Sequence, residues 1–512
     1  MKHNCRYSDF SNFIPIPANK ISKQIVMNKL LLSFLIVILF VVTGFAQPIT
    51  LHPENPHYFF YKGKPTLLIT SAEHYGAVLN GDFDFEKYLK TMHAEGMNYT
   101  RIFSGAYVEI PESFSIRENT LAPKEGRYLA PWKRTGEPGL YKGEMKFDFT
   151  KWNPAYFERL KSFIGLANEL DIVVEVTFFC STYNDGLWER NPFNSGNNVN
   201  NLPTGLDRKK SNTIENGVLT GFQKKLVKKI VTELNDYDNV IYEIQNEPWS
   251  DNPQNGMRTL RTTNPGNKDY YLWSKKASDI SLEWQKQMAE VVAETEKSFA
   301  KKHLIAQNYT NFKYSVERVD SNISILNFHY AWPEAVWLNY GWNLPVAFDE
   351  SGFAGSKTDT YLRQAWQFIL AGGAVFNNLD YSFFVGSEDG TGVNSAPGAG
   401  STQLRKQLKF MRSFIESFDF IKMHPDFNVV AHAPGAEWQC ISEPGKQYAI
   451  VFEGVNPEWI KLNLPDGKYN YQFVSPFSGK TLKTGFIKHK KNEQTKLQMP
   501  EFKEMVVLKI VK

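Results

Sequence analysis

Two stretches hold a carboxylate where an apolar strand comes to its end. "YEIQNEPW" (242–249) turns polar at Gln245 and carries Glu247 between an amide and a proline, and "PVAFDE" (345–350) ends in Glu350. Two carboxylates facing each other over a cleft can divide the work of breaking a C–O bond. One protonates the leaving oxygen; the other attacks the carbon or activates water. Like charge raises the proton affinity of one partner, as a general acid at neutral pH requires. Surface salt bridges are the plain alternative, but both residues directly follow apolar strand residues.

The elements that must position them alternate along the chain. "PTLLITS" (65–71), "MNYTRIF" (97–103), "IVVEVTFF" (172–179), "NVIYEIQ" (239–245), "HLIAQN" (303–308), "ISILNFH" (323–329), "PVAFDE" (345–350) and "GAVFNN" (373–378) read as strands. Helical spacing falls at 84–95, 154–170, 219–234, 281–300 and 359–370, and a further helix at 404–418 closes the set. Continuous apolar strands separated by helices predict a parallel sheet buried on both faces. Eight such units predict an α/β fold, a (β/α)8 TIM barrel. A doubly wound open sheet is the alternative, and no GxGxxG follows an early strand to support it. The helix of the fifth unit, "NFKYSVERVDS", is weakly patterned.

Before the barrel, "LHPENPHYFFYKGKPTLL" predicts a hairpin with Lys62-Gly63 at its turn, placed to plug the barrel bottom. From about Pro425 onward short alternating strands with Gly/Pro turns predict a small C-terminal antiparallel β-sandwich. The expected organisation is an N-terminal extension and signal peptide over 1–46, a catalytic barrel over 47–422 and the sandwich over 423–512. The signal occupies 27–46, with Lys29 ahead of an apolar run and small residues at its end. Cleavage is expected near Ala46/Gln47, giving a secreted or periplasmic protein without stable membrane insertion.

In such a barrel the reacting groups sit where strands end. Those ends supply Glu73, His74 and Tyr75; Arg101; Tyr183 and Asp185; Asn246 and Glu247; His329 and Tyr330; Glu350; and Asn377, Asp380 and Tyr381. Strands four and seven lie nearly opposite, so Glu247 and Glu350 are expected to face each other, with Arg101 keeping one ionised. Asp349 has the opposite parity to Glu350 and is expected to face the helices or cap a loop. Glu175 and Glu243, deeper on their strands, are expected to be interior partners of an arginine. Trp188, Trp249, Trp332 and Trp342 are candidate sugar platforms or loop core. "VGSEDGTG" (385–392) lacks the EF-hand spacing and is expected to be a sugar-binding or flexible loop rather than a calcium site.

Asn-Glu-Pro on the fourth strand and Glu on the seventh, with "NYTRIF", "NFHY" and "FDESG" in this order, resemble the clan A glycoside hydrolases, most nearly family 5, over about residues 50–420. The resemblance implies a retaining glycosidase acting on an O-glycosidic bond, β by expectation, of a poly- or oligosaccharide. It implies that Glu247 is the acid/base, Glu350 the nucleophile and Asn246 the residue that holds the 2-hydroxyl. Arg101 then stands beside the nucleophile, and His329 matches the family's histidine. His74, Tyr330, Trp249, Trp332 and Tyr381 complete the expected substrate contacts. One departure stands out: the family places one residue between histidine and tyrosine on strand six, whereas Tyr330 follows His329 directly. Either a bend brings Tyr330 in, or another residue holds Glu350. The alternative function is a carbohydrate-binding barrel that has lost catalysis.

Composition agrees with a soluble globular protein with a substantial core: 42% hydrophobic, 22% charged, net charge +4 and 14% aromatic residues, a surplus that also suits stacking on sugar faces. No basic stretch interleaved with aromatics predicts nucleic-acid binding. The chain has no CxxC and no HExxH, so neither metal nor cofactor is expected, and Cys180 and Cys440 are expected to remain unpaired.

Overall fold

The computed structural model describes residues 47–259, 272–490 and 493–512. The expected signal peptide and the extension before it lie outside the described residues. Eight parallel strands form the central sheet: β1 (Leu68–Ala72), β2 (Tyr99–Phe103), β3 (Val173–Cys180), β4 (Val240–Asn246), β5 (Leu304–Asn311), β6 (Ile325–His329), β7 (Val346–Ser351) and β8 (Val375–Leu379). They pair in the order β1-β8-β7-β6-β5-β4-β3-β2. The seam between β1 and β2 is bridged outside the ladder. Asn98 accepts the Ile69 N–H at 3.0 Å and donates to the Leu67 carbonyl at 2.7 Å, and the Phe103 N–H reaches the Tyr75 carbonyl at 3.1 Å. The result is a nearly closed (β/α)8 barrel.

Helices α1 (Phe85–Ala94), α2 (Pro154–Glu169), α3 (Leu219–Leu234), α4 (Asp279–Glu296), α5 (Pro333–Asn339), α6 (Thr358–Leu370) and α7 (Thr402–Glu416) surround it. Their starts follow local chemistry. Asp84, Ser278 and Ser401 cap α1, α4 and α7 by accepting N–H groups of the first turn, and Pro154 opens α2, where no N–H is needed. The weak fifth unit has no helix: the stretch between β5 and β6 is irregular and turn-like.

The hairpin ahead of the barrel pairs Tyr61 with Lys64 across Lys62 and Gly63, both at positive φ. It lies at the strand starts: Tyr61 bonds Asn168 at 3.1 Å, Lys62 pairs with Asp171, and the Ile49 N–H reaches the Asp238 carbonyl at 2.9 Å.

A six-stranded antiparallel sheet, with a three-stranded sheet (Val430–His432, Trp459–Leu462, Thr495–Gln498) on one face, forms the C-terminal region. The central strands of the larger sheet alternate between two cores. Ile441, Ala449, Val451, Met505 and Val507 join the core of the barrel, whereas Cys440, Tyr448, Ile450, Phe452, Val506 and Leu508 fill the sandwich. Residues 48–512 are one compact unit by their contacts. Among the described residues no helix is long and apolar enough to cross a membrane.

Candidate active site

A cavity of about 800 Å³ opens at the C-terminal ends of the strands. Glu247 and Glu350 both line it. One oxygen from each carboxylate, together with a ring nitrogen of His329, lies within 4.8 Å of the others. Glu350 sits in a ring of donors. The Tyr330 hydroxyl donates to Oε1 at 2.8 Å, the Tyr75 hydroxyl to Oε2 at 2.9 Å, and Arg101 to Oε2 at 3.4 Å. Burial works against the charge on Glu350, but His329, Arg101 and Tyr330 outweigh it and hold its carboxyl well below the ordinary range. Glu247 has a different setting: His329 Nδ1 lies 3.0 Å from its Oε1, and Ser250 Oγ 3.4 Å from its Oε2.

The backbone explains how neighbouring residues reach one cleft. Tyr330 has φ +49°, Glu247 φ +47° and Tyr75 φ +60°. Left-handed conformations cost a side chain-bearing residue roughly 1–3 kcal/mol, and such strain collects at functional sites. The turn at Tyr330 brings its ring in beside His329, so the departure from His-x-Tyr is bridged by a bend, and Tyr75 adds a second phenol. The turn at Tyr75 is built by Glu73, which accepts the N–H groups of Gly76 and Ala77 at 3.0 Å each.

Asp349 does not face the helices or cap a loop. It is fully buried, with Oδ2 3.4 Å from His329 Nε2, 3.2 Å from Asn327 Nδ2 and 3.6 Å from Arg101. The pairing between β6 and β7 slips by one residue between Phe348 and Glu350, and that irregularity defeats strict alternation. Asp349 and Glu350 both turn inward as a result.

Beneath the cavity Arg101 gathers the interior acids. It donates to Glu243 and to Asn246 Oδ1 (2.9 Å) and lies 3.4 Å from Glu175. Burial and the neighbouring acids push the Glu175 carboxyl well above its ordinary range. Burial, only partly offset by Arg101, also raises Glu243. Glu175 and Glu243 are thus interior partners of an arginine, as their depth on the strands implies. Atoms of Glu175, Glu243 and Asp349 lie close enough to bracket a metal ion, as do those of Glu247, His329 and Glu350. The first trio is already served by the Arg101 guanidinium. In the second, burial disfavours charge on His329, but Glu350 and Asp349 outweigh it and push its pKa well up, so its ring faces both glutamates as a proton donor.

Of the other expected residues, Asn246, His74, Tyr330 and Trp332 stand at the cavity wall. Arg101 and His329 lie behind it, Arg101 against Glu350 and His329 against both glutamates. Trp249 is buried edge-on against His329 at 5.4 Å, and Tyr381 is buried 6.0 Å from the His74 ring, neither at the wall. Tyr183 lines the wall and accepts from Asn246 Nδ2 at 2.8 Å. Phe114, Phe312 and Phe353 add apolar wall, and Glu109 adds a third carboxylate. Glu109 follows no strand end and has no flanking pattern, so nothing in its surroundings marks it. In the "VGSEDGTG" loop Asp389 pairs with Lys87 at 2.9 Å, and Glu388 accepts the N–H of Gly386 at 3.0 Å. Cys180 and Cys440 are both free and buried.

A (β/α)8 barrel with strand-four and strand-seven glutamates facing each other over its mouth has the architecture of the clan A glycoside hydrolases. Comparison narrows this. Residues 63–315, just under half of the chain, match the family Cellulase (glycosyl hydrolase family 5). The matched stretch spans β1 to β5 with Arg101, Asn246 and Glu247, and stops before Glu350. Two solved structures from Bacteroides vulgatus share the fold. One is provisionally described as a glycoside hydrolase (13% identity, 92% of this chain and 83% of the other, TM-score 0.62). The second is described as a family 5 glycoside hydrolase (13% identity, 91% and 93%, TM-score 0.56). A third structure, described as a glycoside hydrolase, covers 91% of this chain and 97% of its own at 13% identity and TM-score 0.53. No curated protein matches the chain.

Proposed function

We propose that the protein is an exported retaining glycoside hydrolase that cleaves an O-glycosidic bond, β in configuration, of a poly- or oligosaccharide. The observation that carries this reading is the approach of Glu247 and Glu350 to within 4.8 Å at the closest oxygens. Retaining enzymes hold their carboxyl groups about 5–5.5 Å apart, whereas inverting ones need about 6.5–9.5 Å to seat a water.

Glu350, kept charged by Arg101, Tyr75, Tyr330 and His329, attacks the anomeric carbon. As the carbon–oxygen bond to the leaving group breaks, Glu247 delivers its proton to that oxygen. Glu247, now ionised, takes a proton from water, and the hydroxide equivalent displaces Glu350 from the glycosyl ester. Asn246, whose amide is held by Arg101 and Tyr183, is the residue assigned to the 2-hydroxyl. The signal-like stretch 27–46 supports export.

Glu247→Ala tests the assignment. Its loss should be about 10²–10⁴-fold on glycosides with poor leaving groups and far smaller on activated aryl glycosides, with azide restoring turnover of the latter and yielding a β-glycosyl azide. Proton NMR of the first product should show retained configuration. Equal losses on both substrates without azide rescue, or an inverted product, would remove the mechanism. Sugar binding by the intact protein with no turnover would favour the catalytically inactive barrel instead.

A further inference from the structure

Glu109 stands on the long loop after β2 and is 2% exposed, yet it lines the same cavity as the catalytic pair. Its carboxylate is braced. Tyr107 donates to Oε1 at 3.1 Å, Asn119 Nδ2 to Oε2 at 2.6 Å, and Arg190 fixes the backbone by donating to the Glu109 carbonyl at 2.7 Å. Among the described residues no arginine or lysine lines the cavity wall. The cation nearest to hand is His74, whose Nε2 lies 3.6 Å from Oε2, beyond hydrogen-bond range. Both nitrogens of that buried ring lack a hydrogen-bond partner. Buried polar groups are rarely left unpaired, so this imidazole and carboxylate, side by side at the cavity wall, are set for a third group once a small shift of the wall uncovers the ring nitrogens, each of which is almost wholly covered. A hydroxyl about 2.8 Å from each can donate to the carboxylate and accept from the imidazole at once.

Resting on the glycosidase reading, we propose that Glu109 is a specificity-determining residue. With His74 it receives hydroxyls, other than the 2-hydroxyl, of an uncharged sugar seated against Glu350. The acceptor Oε1, held by one donor, has capacity for a neighbouring hydroxyl, so a vicinal diol fits the pair. A uronic acid or sulfated sugar would bring its anion to a wall whose described residues offer three carboxylates and no arginine or lysine to pair with it.

The test begins with 4-nitrophenyl β-glycosides of glucose, galactose, mannose, xylose and glucuronic acid. Kinetics of wild type and Glu350→Gln on this panel identify the best substrate and establish that turnover belongs to this site. Deoxy analogues of that substrate, lacking one hydroxyl at a time beyond C2, are then compared in wild type, Glu109→Ala and Glu109→Gln. Wild type is expected to lose about 10²-fold in kcat/KM on at least one analogue, because a site built to bond a hydroxyl is left unpaired without it. Glu109→Ala should lose a similar factor on the parent glycoside and show no further loss on that analogue. Glu109→Gln, which keeps volume and bracing, serves if the alanine variant fails to fold; it should narrow the same discrimination and raise glucuronide turnover relative to the neutral glycoside. Unchanged discrimination in the variants, or a glucuronide as the best wild-type substrate, overturns the role of Glu109 and leaves the glycosidase reading standing. Absence of turnover on the whole panel, or turnover that survives Glu350→Gln, overturns both.

Discussion

Glu350 keeps its charge in a buried position because two phenols, a guanidinium and an imidazolium converge on it. The two phenols should differ little in worth, since each gives one hydrogen bond to an ionised acceptor. Tyr330→Phe or Tyr75→Phe is expected to reduce kcat/KM about 10–100-fold, the value of one such bond. The double variant should lose less than the product of the two, because both act on one carboxylate. Steady-state kinetics of the four proteins checks this, and strict additivity would mean that the phenols act separately. Asp349 acts one step further out. It helps to hold His329 charged, and that charge holds Glu350 low. With Asp349→Asn the proton affinity of His329 falls, less positive charge faces Glu350, and its carboxyl rises toward the ordinary range. On the proposed mechanism Glu350 attacks as the carboxylate, so the acid limb of the kcat/KM profile moves to higher pH. An even loss at all pH values, with the limb unmoved, would show that Asp349 only packs. That Glu247 and Glu350 meet at one cavity is legible from residue types alone, because a carboxylate at the end of an apolar strand has few structural uses. The place of Asp349 is not legible, because a one-residue slip between strands leaves no mark on composition.

At the scale of elements, the eight barrel strands and every barrel helix but the short α5 could be read to within a few residues of their ends, since each carries its own apolar pattern. What the pattern does not reveal is the shape of the loops. Glu109, Phe114 and Phe353 reach the cavity from segments with no period to read, and Tyr330 arrives by one left-handed turn. The turn after β4 offers a further test. Asp251 lies just beyond Glu247, buried, accepting the Thr182 N–H at 3.1 Å and Gln245 Nε2 at 3.3 Å. Burial lifts its carboxyl to about 8, against the pull of hydrogen bonds from Ser181 and Thr182. An unfolded aspartate titrates near ~4. The folded protein therefore retains a proton that the unfolded chain releases between those values. Stability from the neutral form is complete below ~4 and is lost as pH rises toward about 8. Asp251→Asn, which mimics the neutral acid, should melt within a few degrees of wild type at pH ~5 and clearly above it at pH ~8. Parallel pH dependence of Tm in both proteins would exclude Asp251 as the source.

At the scale of the whole molecule, the C-terminal sheet shares its inward side chains with the barrel. Helix α6 packs against the strands Ala436–Glu443 and Gln447–Gly454. Gln367 donates to Glu453 at 3.0 Å, and Arg363 lies 3.4 Å from the same carboxylate. Ile441, Val451, Val474, Met505 and Val507 belong to the same apolar core as Trp366 and Phe414 on α6 and α7. Each large apolar side chain stripped of cover forfeits roughly 1.5–3 kcal/mol. A domain has about 5–15 kcal/mol in all. Uncovering four or five such groups is enough to consume that margin, so the barrel is expected to depend on the sandwich to fold. A chain ending at Lys422 should bind a hydrophobic dye, lack a cooperative melt and show no turnover, while the chain running to Lys512 melts in one transition followed equally by calorimetry and by far-ultraviolet dichroism. Glu453→Ala, which removes only the polar link, should lower Tm by a few degrees and leave the single transition intact. A shortened chain with the Tm of the full one would show that the barrel stands by itself. Two separate transitions in the full chain would show that the shared core does not couple the two parts.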